Sequence, residues 1–572
     1  MSLSRRAKII ATLGPACDQV ENISRLIQAG MNVARVNMSH GTLERQDQTI
    51  ANIRQAALNV GCEVAVLMDL QGPKIRVGAL DHHLLLKEGQ HWVIGPEREE
   101  DNYPEYANRY IPTTHHQLAE DTQAGCRILF DDGLIIARAV GIDRKVVKII
   151  IENGAPLKSH KGINLPDSNI SAPSLTEKDK RDLFFGIDRK VDYVALSFVR
   201  TAKCVMEVKY LLHAAGIFIP VVAKIERPEA LDHLEEIIHA ADAVMVARGD
   251  LAVEVGNHRV PTLQRQIIQL CRNHGKPVIT ATQMLESMIH NPSPTRAEAS
   301  DVANAIWDGT DAVMLSGETS MGKYPYLTIS TMSRIIEDAE GSPRSIKQKV
   351  ETPNISTATM EAATLIAERV KAKWIIATTR TGNSCWEIAR FRPEIPVLGV
   401  ASNLEAVRRM CLFWGITPQL FDDSQEESAD IDQQVLVFLV EREELNKGDT
   451  MVLTREENKI VYHGIASHIR VEMFYGLADQ PSDLPLDYQD ISRQPMASGN
   501  ELTLDHRLCV QCKSCVETCP YNIYLQSDSN QDRIELNRKQ IDKCTRDGAC
   551  VRVCPVHAIQ FQEEKSERQE GH

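Results

Sequence analysis

At 572 residues and 43% hydrophobic content the chain can fill several cores, and a formal charge of −14 with no basic run excludes a protein that tracks nucleic acid. The apolar run 9–13 is too short for a secretory core, and no stretch nears the roughly 20 apolar residues of a bilayer span. The expectation is a cytoplasmic chain away from membranes. Apolar runs at 9–13 (IIATL), 33–38 (VARVNM) and 65–69 (AVLMD) alternate with helical patterns such as 43–60. After an interruption come 193–198 (YVALSF), 221–226 (VVAKIE), 243–250 (AVMVARGD), 278–282 (VITAT) and 312–316 (AVMLS). Short apolar runs before helical segments read as buried parallel strands. Eight of them predict an α/β fold, a (β/α)₈ TIM barrel over residues 1–72 and 161–342, with an open doubly wound sheet as the structural competitor.

Polar residues collect at the predicted carboxyl ends: Thr12, Arg35, Asn37, Ser39, Asp69, Ser197, Lys224, Glu226, Asp250, Thr282, Ser316 and Glu318. Glu226 and Asp250 are hard oxygen donors suited to Mg²⁺ when a substrate supplies further ligands. Lys224 beside them suits a phosphoryl group in transfer, a reaction governed by positioning and charge neutralisation. Surface ion pairs at strand ends are the plainer alternative. The interruption, residues 73–160, is rich in short β-like runs broken by Asp-Asp-Gly and Asn-Gly turns, and predicts an inserted all-β lid. Residues 343–478 resume the alternation, with strands at 374–378, 397–400 and 451–454. There the loop Thr378, Thr379, Arg380, Thr381, Gly382, Asn383 and Ser384 leads into a helix, which suits either a phosphate or an ordinary helix cap. Residues 479–500, polar and carrying three prolines, predict a linker.

Residues 1 to about 478 resemble pyruvate kinase. The resemblance rests on 10–15 (IATLGP), 32–41 (NVARVNMSHG), 69–76 (DLQGPKIR), 161–166 (KGINLP), 223–226 (AKIE) and 245–251 (MVARGDL). It continues through 281–288 (ATQMLESM), 294–298 (PTRAE) and 315–319 (LSGET). It implies Mg²⁺-dependent transfer from phosphoenolpyruvate to ADP, giving pyruvate and ATP. Glu226 and Asp250 would carry the metal and Lys224 the phosphoryl group; Arg35 and Arg76 would hold phosphates. The Ala247, Arg248, Gly249, Asp250 backbone would hold the substrate carboxylate, and Thr282 would lie near the enolate carbon. Asn37, Ser39, Ser316 and Glu318 complete the implied substrate surface. Both arginines could instead be ion-pair partners of Asp69. Many members hold K⁺ near Asn37, Ser39 and Asp69, with a glutamate where this chain has Lys74. Asp69, Leu70 and Lys74 here resemble the K⁺-independent branch, in which the ammonium supplies the ion's charge. A phosphorylated effector at the 378–384 loop and a homotetramer are further implications.

Of 14 cysteines, seven crowd into residues 501–566. Cys509, Cys512, Cys515 and Cys519, spaced x₂, x₂, x₃ and followed by Pro520, match the bacterial ferredoxin run, with a zinc site as the weaker competitor. A small α+β ferredoxin-like domain is predicted. By the crossover rule Cys509, Cys512, Cys515 and Cys554 hold one [4Fe–4S] cluster, and Cys519, Cys544 and Cys550 the other. Asp547 stands at the second cluster's remaining position, so that site is an aspartate-ligated [4Fe–4S], a [3Fe–4S] or lost. The tail is read as a redox sensor, an electron carrier to a partner protein, or a docking module. Against the kinase reading stand a Mg²⁺-dependent barrel lyase and an electron-transfer protein with the barrel as scaffold.

Overall fold

The computed structural model describes residues 5–168, 173–342, 354–421, 430–456 and 466–474, plus the strands at 491–495, 501–505, 524–526, 534–536 and 559–562. Eight parallel strands close a barrel: β1 (Lys8–Thr12), β2 (Val33–Asn37), β3 (Ala65–Asp69), β4 (Tyr193–Leu196), β5 (Val221–Ile225), β6 (Ala243–Ala247), β7 (Val278–Ala281) and β8 (Ala312–Leu315). β8 pairs back onto β1, Lys8 opposite Ala312. The strands are short and mainly apolar and buried, because a barrel strand meets side chains on one face and helices on the other. Alternation divides the two cores. Ala65, Leu67, Tyr193, Ala195, Ala243 and Met245 fill the barrel, while Val66, Met68, Val194, Val244 and Val246 pack against the surrounding helices.

Two of the predicted strands end two or more residues sooner than the sequence suggested. β4 stops at Leu196, and Phe198 takes a left-handed backbone (φ 54°). β6 stops at Ala247, and Arg248–Val255 forms a helix, so Asp250 lies in a first helical turn rather than on a strand. Between β5 and β6 the chain forms two short helices, Pro228–Asp232 and Leu234–Ala240, on either side of His233.

The insertion leaves after β3 through Gly72, whose φ is +69°. A Cβ there would fall 2.8 Å from the Phe198 ring, so this exit admits only glycine without displacement. Outgoing and returning segments run side by side, with Ile163 N–H donating to Ile75 O at 2.9 Å and Val77 N–H to Lys161 O at 2.8 Å. Beyond them a six-stranded sheet orders as Ile163–Asn164, Arg127–Phe130, Ile135–Asp143, Val146–Asn153, His91–Pro96 and Tyr110–Thr113. It has its own core around Ile94, Ile128, Phe130, Val147 and Ile149.

After the barrel, β9 (Trp374–Thr378), β10 (Val397–Ala401), β11 (Ile416–Leu420) and β12 (Thr450–Glu456) lie parallel, and β13 (Ala466–Met473) closes the sheet antiparallel to β12. This domain meets the amino end of the barrel. Lys8 Nζ donates to Ile416 O at 2.7 Å, Tyr193 Oη to Arg409 O at 2.6 Å, and Arg392 pairs with Asp311 at 2.7 Å. Farther on, 491–495 within the segment read as a linker pairs antiparallel with 501–505, which also pairs with 559–562. The cluster positions Cys509, Cys512, Cys515, Cys519, Cys544, Asp547, Cys550 and Cys554 lie outside the described residues.

Candidate active site

The carboxyl ends of β3, β4 and β5 deliver one buried charge cluster. Lys224, near the end of β5, sits 3.1 Å from Asp69 Oδ1 and 3.0 Å from Glu226 Oε1, and donates to Ser197 Oγ at 2.8 Å. Burial alone would drive its proton off, but the charges of Asp69 and Glu226 overcome burial and hold Lys224 cationic well above the usual lysine range. Asp69 is also buried. Burial raises it, yet Lys224 and Arg35 pull its carboxyl below the ordinary value. Glu226 goes the other way: burial and the neighbouring charge of Asp250 raise it despite Lys224. Its second oxygen accepts from Phe198 N–H at 2.7 Å, a contact made by the left-handed turn after β4.

Around this centre Arg35 Nε donates to Asp69 Oδ2 at 2.7 Å and its NH1 to Thr12 Oγ1 at 2.9 Å. Arg35 is therefore an Asp69 ion-pair partner, as one reading of the sequence allowed. Arg76 is not. Its guanidinium donates to His160 O at 2.9 Å in the hinge of the insertion, away from the carboxylates. Burial and the charges of Arg76, Arg35 and Lys74 lower His40. Lys74 reaches Asp250 at 3.5 Å, so it faces the carboxylate pair from the insertion side, while Leu70 is buried. Asn37 Oδ1 accepts from Ser39 N–H at 3.1 Å at the end of β2.

Past β6 and β7 the rim is built from backbone. Gly249 N–H donates to Thr282 Oγ1 at 2.8 Å, and that hydroxyl donates to Ala281 O at 2.6 Å. Thr282 (φ 70°) and Gln283 (φ 51°) are left-handed, as is Phe198. For a β-branched residue this conformation costs about 1–3 kcal/mol, and such strain gathers at functional sites. Arg248 does not face the site. Its guanidinium donates to Thr282 O at 2.7 Å and pairs with Asp301 at 2.7 Å, bracing the turn after β7. Glu318 is fully buried, its two oxygens accepting from Leu285 N–H at 3.2 Å and Ser316 N–H at 2.7 Å, so it shapes the loop after β8.

An open pocket adjoins the cluster, lined by Pro73, Lys74, Ile163, Asn164, Phe198, Arg200 and Arg227. It lies between the rim of the barrel and the crossing segments of the insertion. Arg227 and Asn164 were missed in the sequence; they meet at Glu254, at 2.8 and 2.9 Å. The AKIE run held the clue in the arginine that follows it. In the C-terminal domain the loop 378–384 joins β9 to the helix Asn383–Arg390. Thr379 and Ser384 are buried, Thr379 Oγ1 accepts from Gly382 N–H at 3.0 Å, Thr381 Oγ1 accepts from Asn383 N–H at 3.4 Å, and Asn403 holds Arg380 O.

A closed (β/α)₈ barrel whose carboxyl rim holds a caged lysine between carboxylates is an enzyme site. The family model "Pyruvate kinase, barrel domain" matches residues 4–329, and "Pyruvate kinase, alpha/beta domain" matches 357–470. Pyruvate kinase of Corynebacterium glutamicum is 42% identical over 79% of this chain and 94% of its own length. That of Geobacillus stearothermophilus is 41% identical, covering 79% and 78%, and "Pyruvate kinase 2" of Synechocystis is 41% identical, covering 79% and 76%. The chain belongs to the pyruvate kinase family and is a phosphotransferase. A "4Fe-4S dicluster domain" model matches residues 508–559, so the chain joins a kinase body to an iron–sulfur tail. Among the described residues no helix is long and apolar enough to cross a membrane.

Proposed function

We propose that the chain transfers the phosphoryl group of phosphoenolpyruvate to ADP at the carboxyl rim of the barrel, giving pyruvate and ATP. The observation that carries the reading is the Lys224 cage: a buried ammonium kept charged by Asp69 and Glu226, at the centre of the rim. A loose phosphoryl transition state needs positive charge already in place. Asp69 and Ser197 fix where that charge points, and Arg35, anchored on Asp69 and Thr12, adds a second cation beside it.

Glu226 and Asp250 fit a Mg²⁺ site. They are hard donors, and Asp250 raises Glu226, as expected of two carboxylates facing one position. A Mg²⁺ ion held by Glu226 and Asp250 would supply positive charge toward the phosphoryl oxygens. Backbone N–H groups from Arg248 onward begin a helix and suit the substrate carboxylate. Thr282, held between Gly249 N–H and Ala281 O, is assigned to the side from which the enolate is protonated. Arg76, on the hinge, meets the phosphates when the insertion closes and excludes water. Lys74 beside Asp250 supplies the monovalent charge, making K⁺ dispensable. The 378–384 loop takes a phosphorylated effector, and the assembly is a homotetramer acting in the cytoplasm in glycolysis.

For the tail we favour redox sensing, and its place beyond the kinase pattern rather than as an insertion near the rim argues against a direct catalytic role. Its first cluster is [4Fe–4S], and Asp547 makes the second labile, either [4Fe–4S] or [3Fe–4S]. The test is pyruvate formation with Mg²⁺, ADP and phosphoenolpyruvate on anaerobically purified chain, at both cluster oxidation states. No pyruvate sinks the kinase reading. Equal rates in both states sink the sensor alone.

A further inference from the structure

Outside the active site, one cluster brings metal-ligating side chains together from two helices. Glu235 and His239 stand one turn apart on the helix Leu234–Ala240, so they share a face. His274 is the C-cap of the neighbouring helix Val260–Asn273. One donor atom from each of the three lies within 4.8 Å of the other two. His274 Nε2 is 3.3 Å from Glu235 Oε1, and the two imidazole rings are 4.3 Å apart, edge to face. Ligands at about 2.0–2.1 Å on a tetrahedral ion stand roughly 3.3–3.4 Å apart, so the histidine–carboxylate edge already has the needed length. As an ordinary ion pair the contact would be weak, because Glu235 is 65% exposed. It would not explain why a second imidazole joins it.

We infer that Glu235, His239 and His274 form a surface site for a divalent transition ion of the Zn²⁺, Ni²⁺ or Co²⁺ type, separate from the Mg²⁺ carboxylates. Two imidazoles with one carboxylate select such ions over Mg²⁺, which prefers oxygen. Three protein ligands leave the fourth position to water. The site closes the ends of two helices together beside the domain junction. Lys276, two residues past His274, donates to His239 O at 3.3 Å and Ala241 O at 2.6 Å and lies 5.7 Å from the Trp386 ring of the C-terminal domain. A bound ion therefore stiffens the segment on which that domain rests.

The experiment is equilibrium dialysis of the full chain, clusters intact, against Ni²⁺ in excess Mg²⁺, comparing wild type with His239→Ala and His274→Ala. Bound nickel is counted and its ligands are read by X-ray absorption. Wild type should retain one more Ni²⁺ per chain than either variant, bound through imidazole nitrogen and oxygen, with at least a tenfold loss of affinity in each variant. Nickel should raise the melting temperature of wild type and not of the variants. Equal retention by all three, or nickel bound only through sulfur, would overturn the site.

Discussion

Two buried lysines sit in the same barrel and behave in opposite ways. Lys224, near the carboxyl end of β5, is held between Asp69 and Glu226 and is raised above the usual lysine range. Lys8, at the amino end of β1, is pulled down to about 8, because burial dominates and Arg5 repels it. Its ammonium donates to a carbonyl, Ile416 O, and the opposing pull of Cys411 and Glu340 is smaller than the effect of burial. The upper lysine is a charge kept ready for an anion. The lower one fastens the barrel to the C-terminal domain at some electrostatic cost. Burial alone thus says little about role; the partners decide it.

The sharpest way to break this contrast is Lys224→Met. Pyruvate formation should fall by about 10²–10³-fold or more, while the visible absorption of the clusters stays near wild type. Asp250→Asn should raise the Mg²⁺ concentration for half-maximal rate at least about tenfold, since one of two hard ligands weakens; an unchanged Mg²⁺ titration would remove Asp250 from the metal site. Exchanging Na⁺ for K⁺ at fixed ionic strength should leave wild type unchanged, and Lys74→Glu should become K⁺-stimulated. Stimulation of wild type would contradict the role given to Lys74.

The smallest effect belongs to Lys8. Below pH 8 both the folded and unfolded states carry its charge, and folding bears the full cost of burying it. Between about 8 and its usual 10.5 the unfolded chain binds more protons, so this group's contribution to stability rises with pH. The melting-temperature difference between Lys8→Met and wild type should therefore shift in favour of wild type from pH 8 to 10.5. A shift in the other direction would contradict the burial account.

The eight barrel strands were legible because a strand buried on both faces must be largely apolar, but their ends were legible only to within a few residues, since β6 stops at Ala247 and not at Asp250. β11 escaped notice: its ITPQL sequence carries Pro418 and two polar residues, which an edge strand tolerates. β13 has no such break: it alternates polar and apolar residues, the mark of a half-buried strand, but lacks the continuous apolar run by which the other strands were read. Lys224, Glu226, Asp69 and Arg35 could be read as one site from their strand-end positions. What could not be read was orientation. Arg248 and Glu318 stand at the rim but turn into the wall, and the left-handed turns at Phe198 and Thr282 leave no mark in composition. His274 lies far along the chain from Glu235 and His239, so only the packing of adjacent barrel helices brings the three together.

The most direct test of the central claim is the rate of pyruvate formation from phosphoenolpyruvate and ADP with Mg²⁺, measured on the full chain beside Lys224→Met. Mg²⁺-dependent turnover in wild type, with near-complete loss in the variant at unchanged fold, is the predicted result. Absence of pyruvate in wild type, or a variant that turns over at the same rate, would contradict it.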